Sequence, residues 1–270
     1  MQTLQDADKK FEVKISEELI VCISQYKTVK YTADAIRALK DEGVPFTTLL
    51  LFDGTSDDDR AKIEHFADIS VVLRNRANSL PHIWNIMFAV GKLSGAKFLF
   101  WQGSDMIIRP GSLRSMLNLV KYKYYDCVSP IKIDNDDKKF KEYKAFNNGS
   151  EIKCAGINDS ACMFRTDVLS DGKNFDEMYA PYQFETSAFG YELWRKEAMK
   201  MCIDTNAVML HYCSKDIEHS PVEREFGSRT WDKKRDYFLK DADEKKRWFC
   251  ENSIMNSKNA NIYGFPIHVY

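Results

Sequence analysis

The sequence predicts an α/β domain built on a doubly wound, mostly parallel sheet, and three observations predict it. Short apolar runs of strand type alternate with amphipathic stretches at helical spacing through the first half of the 270-residue chain. The runs are nearly continuous in Leu, Ile, Val and Phe, as strands covered on both faces require. Polar clusters follow three of them, Ser24-Gln25-Tyr26, Asp53-Gly54-Thr55 and Ser104-Asp105. Open α/β sheets bind ligands at that carboxyl edge.

In chain order, Leu19–Ser24 (LIVCIS) is the first strand. The stretch YTADAIRALKDEG follows as a helix, with Thr32 as candidate N-cap, Ala35, Ile36 and Leu39 as the apolar stripe and Gly43 as the stop. Thr47–Phe52 is a second buried strand, DDRAKIEHFA a helix charged on one side, and Ser70–Leu73 a third strand. Asn78-Ser79-Leu80-Pro81 starts a helix with Pro in its first turn, and Ile83, Met87 and Val90 share one side of it. Lys97–Trp101 is the fourth strand, ending at Gly103-Ser104-Asp105, and Pro110-Gly111-Ser112 opens the helix SLRSMLNLVKY.

The second half is less regular. Asp134–Lys153 is polar and charged, and predicts a loop or an exposed hairpin turning at Asn148-Gly149. Ala161–Phe164 is a strand, Phe175–Phe189 an irregular stretch rich in aromatics and carboxylates, and Tyr191–Met201 a helix. Ala207–His211 is a strand ending in His, and Trp231–Met255 a charged helical tail.

A net charge of −1 excludes a global basic field for nucleic acid. The seven Cys are odd in number and form no C-x-x-C pair, so they read as reduced thiols in a cytosolic compartment, without zinc spacing. The polar amino-terminal stretch has no signal-peptide core, and the apolar runs are too short to cross a bilayer. The expectation is a cytoplasmic protein with no transmembrane segment. The Lys, Arg and aromatic mix of the tail leaves a peripheral place at a membrane surface open.

Asp105 poses the sharpest question, because an ionised carboxylate at the end of a buried strand needs partners. Either it caps the turn before Ile107 or it holds something charged. Asp53-Gly54 is a turn signal by composition alone. His211 reads equally as a satisfied rim residue or a ligand, and Asn85 as a hydrogen-bond partner for a nearby loop.

The ordered pieces resemble the nucleotide-sugar-dependent glycosyltransferases of the GT-A fold, most closely the inverting family 2 group, over about residues 18–215. The motifs that carry this are SQYK after the first strand, FDGTSD after the second, Asn75 and Asn85, GSD after the fourth, CMFRTDVL with Arg165, Asn174-Phe175-Asp176-Glu177, and VMLHY with His211. The resemblance implies a Rossmann-like catalytic domain over 18–220, with a nucleotide-binding half (18–125) and an acceptor half (126–220). An extension (1–17) would precede it and the helical tail (221–270) would follow. It assigns Ser24, Gln25, Tyr26, Asp53, Asn75, Asn85 and Ser104 to the nucleotide, and Asp105 with His211 to a metal ion. Two acids of the family pattern are missing, at Phe52 and Gly103.

The implied reaction moves a sugar from a UDP- or GDP-type donor to an acceptor hydroxyl with inversion. Mn2+ or Mg2+ would neutralise the leaving diphosphate, and Arg165 or Arg195 could supplement it. Glu192, in GYELWRK, is the first candidate base and Glu185, in QFETS, the second. Tyr182 and Trp194 are candidate sugar platforms. The acceptor stays open among glycan, lipid, protein and modified nucleic-acid base. One rival is a nucleotidyltransferase, which would need a glycine-rich phosphate loop where ISQYKTVKY has no Gly. The other is a non-catalytic binding module with a decayed GT-A fold, favoured by Phe52 and Gly103 and opposed by Asp53, Asp105 and His211.

Overall fold

The computed structural model describes residues 15, 17–26, 28–73, 75–77, 79–123, 125–144, 151–154, 161–169, 175–180, 188–190, 192–193, 199–212 and 233. Strands β1 (Leu19–Gln25), β2 (Thr47–Asp53), β3 (Ile69–Leu73) and β4 (Phe98–Gly103) pair in parallel in the order β3-β2-β1-β4. Helices α1 (Val29–Lys40), α2 (Asp57–Ile63) and α3 (Leu80–Leu93) make the crossovers. Successive side chains of a strand point to opposite faces, and β1 shows the result. Leu19, Val21 and Ile23 join one buried cluster with Ile36 and Leu39 of α1, while Ile20 and Cys22 join another with Trp84, Met87 and Phe88 of α3. Burial on both faces is why β1, β2 and β4 are continuous apolar runs, whereas the edge strand β3 alternates half-buried and exposed residues.

Local capping chemistry starts α2 and α3. Ser79 caps α3, accepting from the His82 N–H at 3.2 Å, with Pro81 in the first turn. Thr32 is not the cap of α1. The helix begins a turn earlier, and the buried Thr32 hydroxyl donates to the Thr28 carbonyl at 3.0 Å. A Thr satisfied by the preceding turn sits inside a helix without opening it.

Beyond β4 the sheet becomes mixed. The remaining elements are β5 (Met106–Ile108), α4 (Ser112–Tyr122), β6 (Cys127–Asp134), α5 (Asp137–Glu142), β7 (Glu151–Cys154), β8 (Ala161–Arg165) and β9 (Met201–His211). β8 lies antiparallel between β4 and β6, and β9 runs parallel to β6 and antiparallel to β5 and β7. The loop or hairpin expected over 134–153 is instead a capped helix and a strand. Asp136 accepts from the Lys139 N–H at 2.8 Å to start α5, and β7 pairs with the distant β9. The helix expected over 191–201 does not reach Met201, which opens β9; Glu192 and Leu193 are helical. Asn148-Gly149 and, apart from Lys233, the 231–255 tail lie outside the described residues.

Only Ser104 and Asp105 separate β4 from β5, yet β8, β6 and β9 stand between those strands in the pairing order. In a flat sheet that order would put them about 19 Å apart, whereas the link reaches about 10 Å. The sheet therefore folds over itself, and Asp105 sits at the corner.

One support of this corner is a carboxylate from far along the chain. Gly111 precedes α4 at φ +89 and has no side chain to cap the helix. Glu42, buried in the turn after α1, takes the role, accepting from the Ser112 N–H at 3.1 Å. Burial pushes its carboxyl up, against the pull of the backbone N–H groups of Gly111, Ser112, Leu113 and Arg114. Glu42→Ala should cost about 1–2 kcal/mol in urea unfolding, and Glu42→Gln, which keeps an acceptor, clearly less. Equal losses would rule out capping as the cause.

Candidate active site

The carboxyl ends of β1, β2 and β4 carry the polar residues that the sequence singled out. Asp53 ends β2 and is buried, with Oδ1 accepting from the Ala77 N–H at 2.6 Å. Burial raises its pKa, partly offset by that N–H and by the charges of Arg76 and His82. Arg76 lays its guanidinium over the Tyr26 ring, 3.8 Å from the centroid, a cation–π contact. Gly54 makes room for this. Its φ is +65, and a Cβ there would lie 3.0 Å from the Arg76 Cβ. Gln25 is buried, with its amide oxygen accepting from the Thr55 hydroxyl. Ser24 is half-buried at the same edge, and buried Ser104 accepts from Thr28.

Asn75 lies exposed in the loop after β3, next to Arg76. Asn85, expected among the nucleotide contacts, has both ends of its amide committed elsewhere. Nδ2 donates to the Phe175 carbonyl at 2.9 Å, and Oδ1 accepts from the Phe175 N–H at 2.7 Å. It clamps α3 to the segment at Phe175.

At the corner, Asp105 is buried and faces His211, the last residue of β9, with Oδ2 and Nε2 3.5 Å apart. The other imidazole nitrogen, Nδ1, lies 2.8 Å from Oδ1 of Asp134, the last residue of β6. Backbone bonds hold all three ends. The Tyr212 N–H donates to the Asp105 carbonyl at 3.0 Å, and the Asn135 N–H donates to the His211 carbonyl at 2.9 Å. Tyr31 of α1 stacks on Tyr212, ring centroids 4.8 Å apart. Burial alone pulls the His211 imidazolium down, but the neighbouring carboxylates of Asp105 and Asp134 outweigh it and carry the pKa to about 9.

One carboxylate oxygen and one imidazole nitrogen could hold a divalent cation, and the nitrogen suits Mn2+ better than the harder Mg2+. A 3.5 Å separation is long for a hydrogen bond. It is close to the roughly 3 Å between adjacent ligands, each about 2.1 Å from one octahedral ion. Among the described residues no group of three His, Cys, Asp or Glu side chains is arranged to hold a metal. A site here would have two protein ligands and fill its remaining positions with diphosphate and water oxygens, as Mg2+ and Mn2+ commonly do.

Gly103 stands where the family pattern has an acid, and the geometry favours glycine. A Cβ there would lie 3.2 Å from Oδ1 of Asp105 and 3.6 Å from Cγ of Met106. Gly103→Asp should weaken Mn2+ binding measured calorimetrically if the Asp105 carboxylate has to give the few tenths of an ångström that the added Cβ requires. A tenfold gain in affinity would sink that reading.

Arg165 does not supplement this site. It pairs with Phe98 across β4 and β8, at the amino end of β4, about 17 Å along the strand from the corner. Its guanidinium is engaged by Asp167 at 2.5 Å and by Asp126 at 3.6 Å. Glu192 is half-buried beside buried Leu193. Glu185, Tyr182, Trp194 and Arg195 lie outside the described residues. The sequence reading missed Arg76 and Asp134. The first had a weak signal in its place beside Asn75; the second had none, since it opens a run of charges.

The sequence profile of glycosyl transferase family 2 matches residues 20–216. No curated protein sequence matches the chain. Among solved structures, Staphylococcus aureus TarS 1–349 superimposes with a TM-score of 0.55 at 13% identity, over 72% of this chain and 60% of that one. TarS 1–349 in complex with UDP-GlcNAc gives 0.54 at 12% identity, over 73% and 59%. GalNAc-T7 with UDP, GalNAc and Mn2+ gives 0.54 at 12%, over 88% and 52%. The chain thus spans about three fifths of TarS 1–349 and half of GalNAc-T7, and at such identities the likeness is one of fold. With the profile match spanning the parallel half, the Asp105 corner and β9, the chain belongs to glycosyl transferase family 2 and has its GT-A fold.

Proposed function

We propose that the protein transfers a sugar from a nucleoside diphosphate sugar to an acceptor hydroxyl, with inversion and with the help of Mn2+ or Mg2+. The observation that carries this is the Asp105–His211 pair, held face to face where β4 and β5 join the two halves of the sheet. UDP is the first choice of nucleotide, GDP the second, because TarS and GalNAc-T7 were each solved with UDP.

In this reading Tyr26, Arg76 and Asp53 bind the nucleoside at the ends of β1 and β2. Asp105 and His211 hold the cation. When bound, the cation supplies positive charge to the oxygens of the departing diphosphate. Glu192 accepts the proton of the acceptor hydroxyl as its oxygen attacks the anomeric carbon from the face opposite the diphosphate; Glu185 is the second candidate. The bond from the anomeric carbon to the diphosphate breaks as the new glycosidic bond forms, which inverts the centre. Tyr182 and Trp194 would stack on the acceptor, whose class stays open among glycan, lipid, protein and modified nucleic-acid base. No helix among the described residues is long and apolar enough to cross a membrane.

Thermal unfolding with UDP, GDP, CDP and TDP, each with and without Mn2+, tests the proposal. A ligand that binds only the folded state stabilises it by mass action, by about 2.7 kcal/mol at a hundredfold excess over Kd, and so raises Tm. The expected result is a shift with UDP that needs Mn2+. A shift indifferent to Mn2+ would remove the cation from the reading, and no shift with any nucleotide would favour a non-catalytic module.

A further inference from the structure

We propose that Asp134 is a positioning residue, fixing the His211 ring so that Nε2 is presented to the cation beside Asp105. The proposal rests on the reading of Asp105 and His211 as cation ligands.

The two sides of the imidazole are unequal. Nδ1 lies 2.8 Å from Asp134 Oδ1, a good charge-assisted hydrogen bond, whereas Nε2 lies 3.5 Å from Asp105 Oδ2. With the Nδ1 proton donated to Asp134, the nitrogen turned towards Asp105 is the one that can ligate. A carboxylate behind a ligating imidazole fixes its tautomer and orientation and raises its basicity.

Strand register, rather than a flexible side chain, brings Asp134 there. Asp134 and His211 are partners in the parallel β6–β9 ladder, and Met106, the residue after Asp105, is the partner of His211 in the antiparallel β5–β9 ladder. Asn135 then takes φ +51, unusual for a residue other than glycine, and its N–H closes on the His211 carbonyl. The β6–β9 register shifts between Pro130 and Ile131, so that Pro130 faces Asp204 while Ile131 faces Val208. Without that shift His211 would not fall opposite Asp134.

A surface ion pair is the alternative, since the Asp134 side chain is 41% exposed, and such pairs contribute little. Calorimetric Mn2+ titration of the full chain, saturated with UDP, separates the two. Asp134→Ala should weaken Mn2+ about 10- to 100-fold, and Asp134→Asn, which keeps an acceptor, should recover part of that. In a His211→Ala background Asp134→Ala should change nothing further, because its effect runs through the ring. Unchanged affinity in Asp134→Ala with an unaltered Tm overturns the proposal alone. So does an equal loss with and without His211. Failure of the wild type to bind Mn2+ overturns the cation reading itself, and the positioning role with it.

Discussion

Asp105→Ala is expected to abolish the Mn2+-dependent part of UDP binding and to lower kcat about 10²–10³-fold. The main chain at the corner should survive the change, because the Asp105 carbonyl, not its side chain, accepts from Tyr212. What disappears is a buried carboxylate facing His211. Unfolding without ligand should also change its pH dependence. The His211 pKa is raised from 6.5 to about 9 in the folded protein. That contribution is fully present below pH 6.5 and lost as pH rises through about 9. Asp105→Ala removes one of the two carboxylates responsible and should flatten this slope. Mn2+-dependent transfer at wild-type rate by Asp105→Ala would end the assignment.

The largest loss of stability is expected at Trp101, which is 1% exposed. Its ring meets Trp84 edge-on at 4.1 Å and stacks on Phe175 at 5.3 Å, with Phe88 and Phe164 beside it. Trp101→Ala should cost about 3–5 kcal/mol in chemical unfolding, equivalent to roughly 10 °C in Tm. Trp101→Phe, which keeps a ring but leaves a smaller cavity, should cost clearly less than Trp101→Ala. Its Nε1 is buried with no hydrogen-bond partner among the described residues, so removing it forfeits no bond among them. If Phe proves as costly as Ala, the indole nitrogen has a role that this packing does not give it.

Legibility in the sequence followed the range of the interactions. β1, β2 and β4 could be read because burial on both faces writes them as apolar runs, and α4 because Pro110-Gly111 marks its start. β6 was hidden by Pro130, Lys132 and Asp134, polar or breaking residues that the register shift and the sheet end accommodate. β7 and the first half of β9 owe their strand conformation to partners far along the chain, which no local pattern announces. The site divides the same way. Asp53, Asp105 and His211 stand at strand ends that local patterning locates. Arg76 reaches Tyr26 through a loop, and Asp134 reaches His211 through strand pairing, so neither has a signature in its own neighbourhood.

The late closure of the corner bears on how the domain opens. The parallel half is stitched between elements that follow one another closely, whereas β9 returns about a hundred residues later to lie between β5 and β6. A chain that lets β9 detach keeps β1, β2 and β4 paired but parts Asp105 from His211. Such local openings are governed by their own free energy, below that of global unfolding. A ligand that needs both residues is linked to this opening, and occupancy of the site holds β9 shut. Amide exchange along β5 and β9 should then slow when the donor complex forms, while the β1–β2 ladder, already closed, keeps its pace.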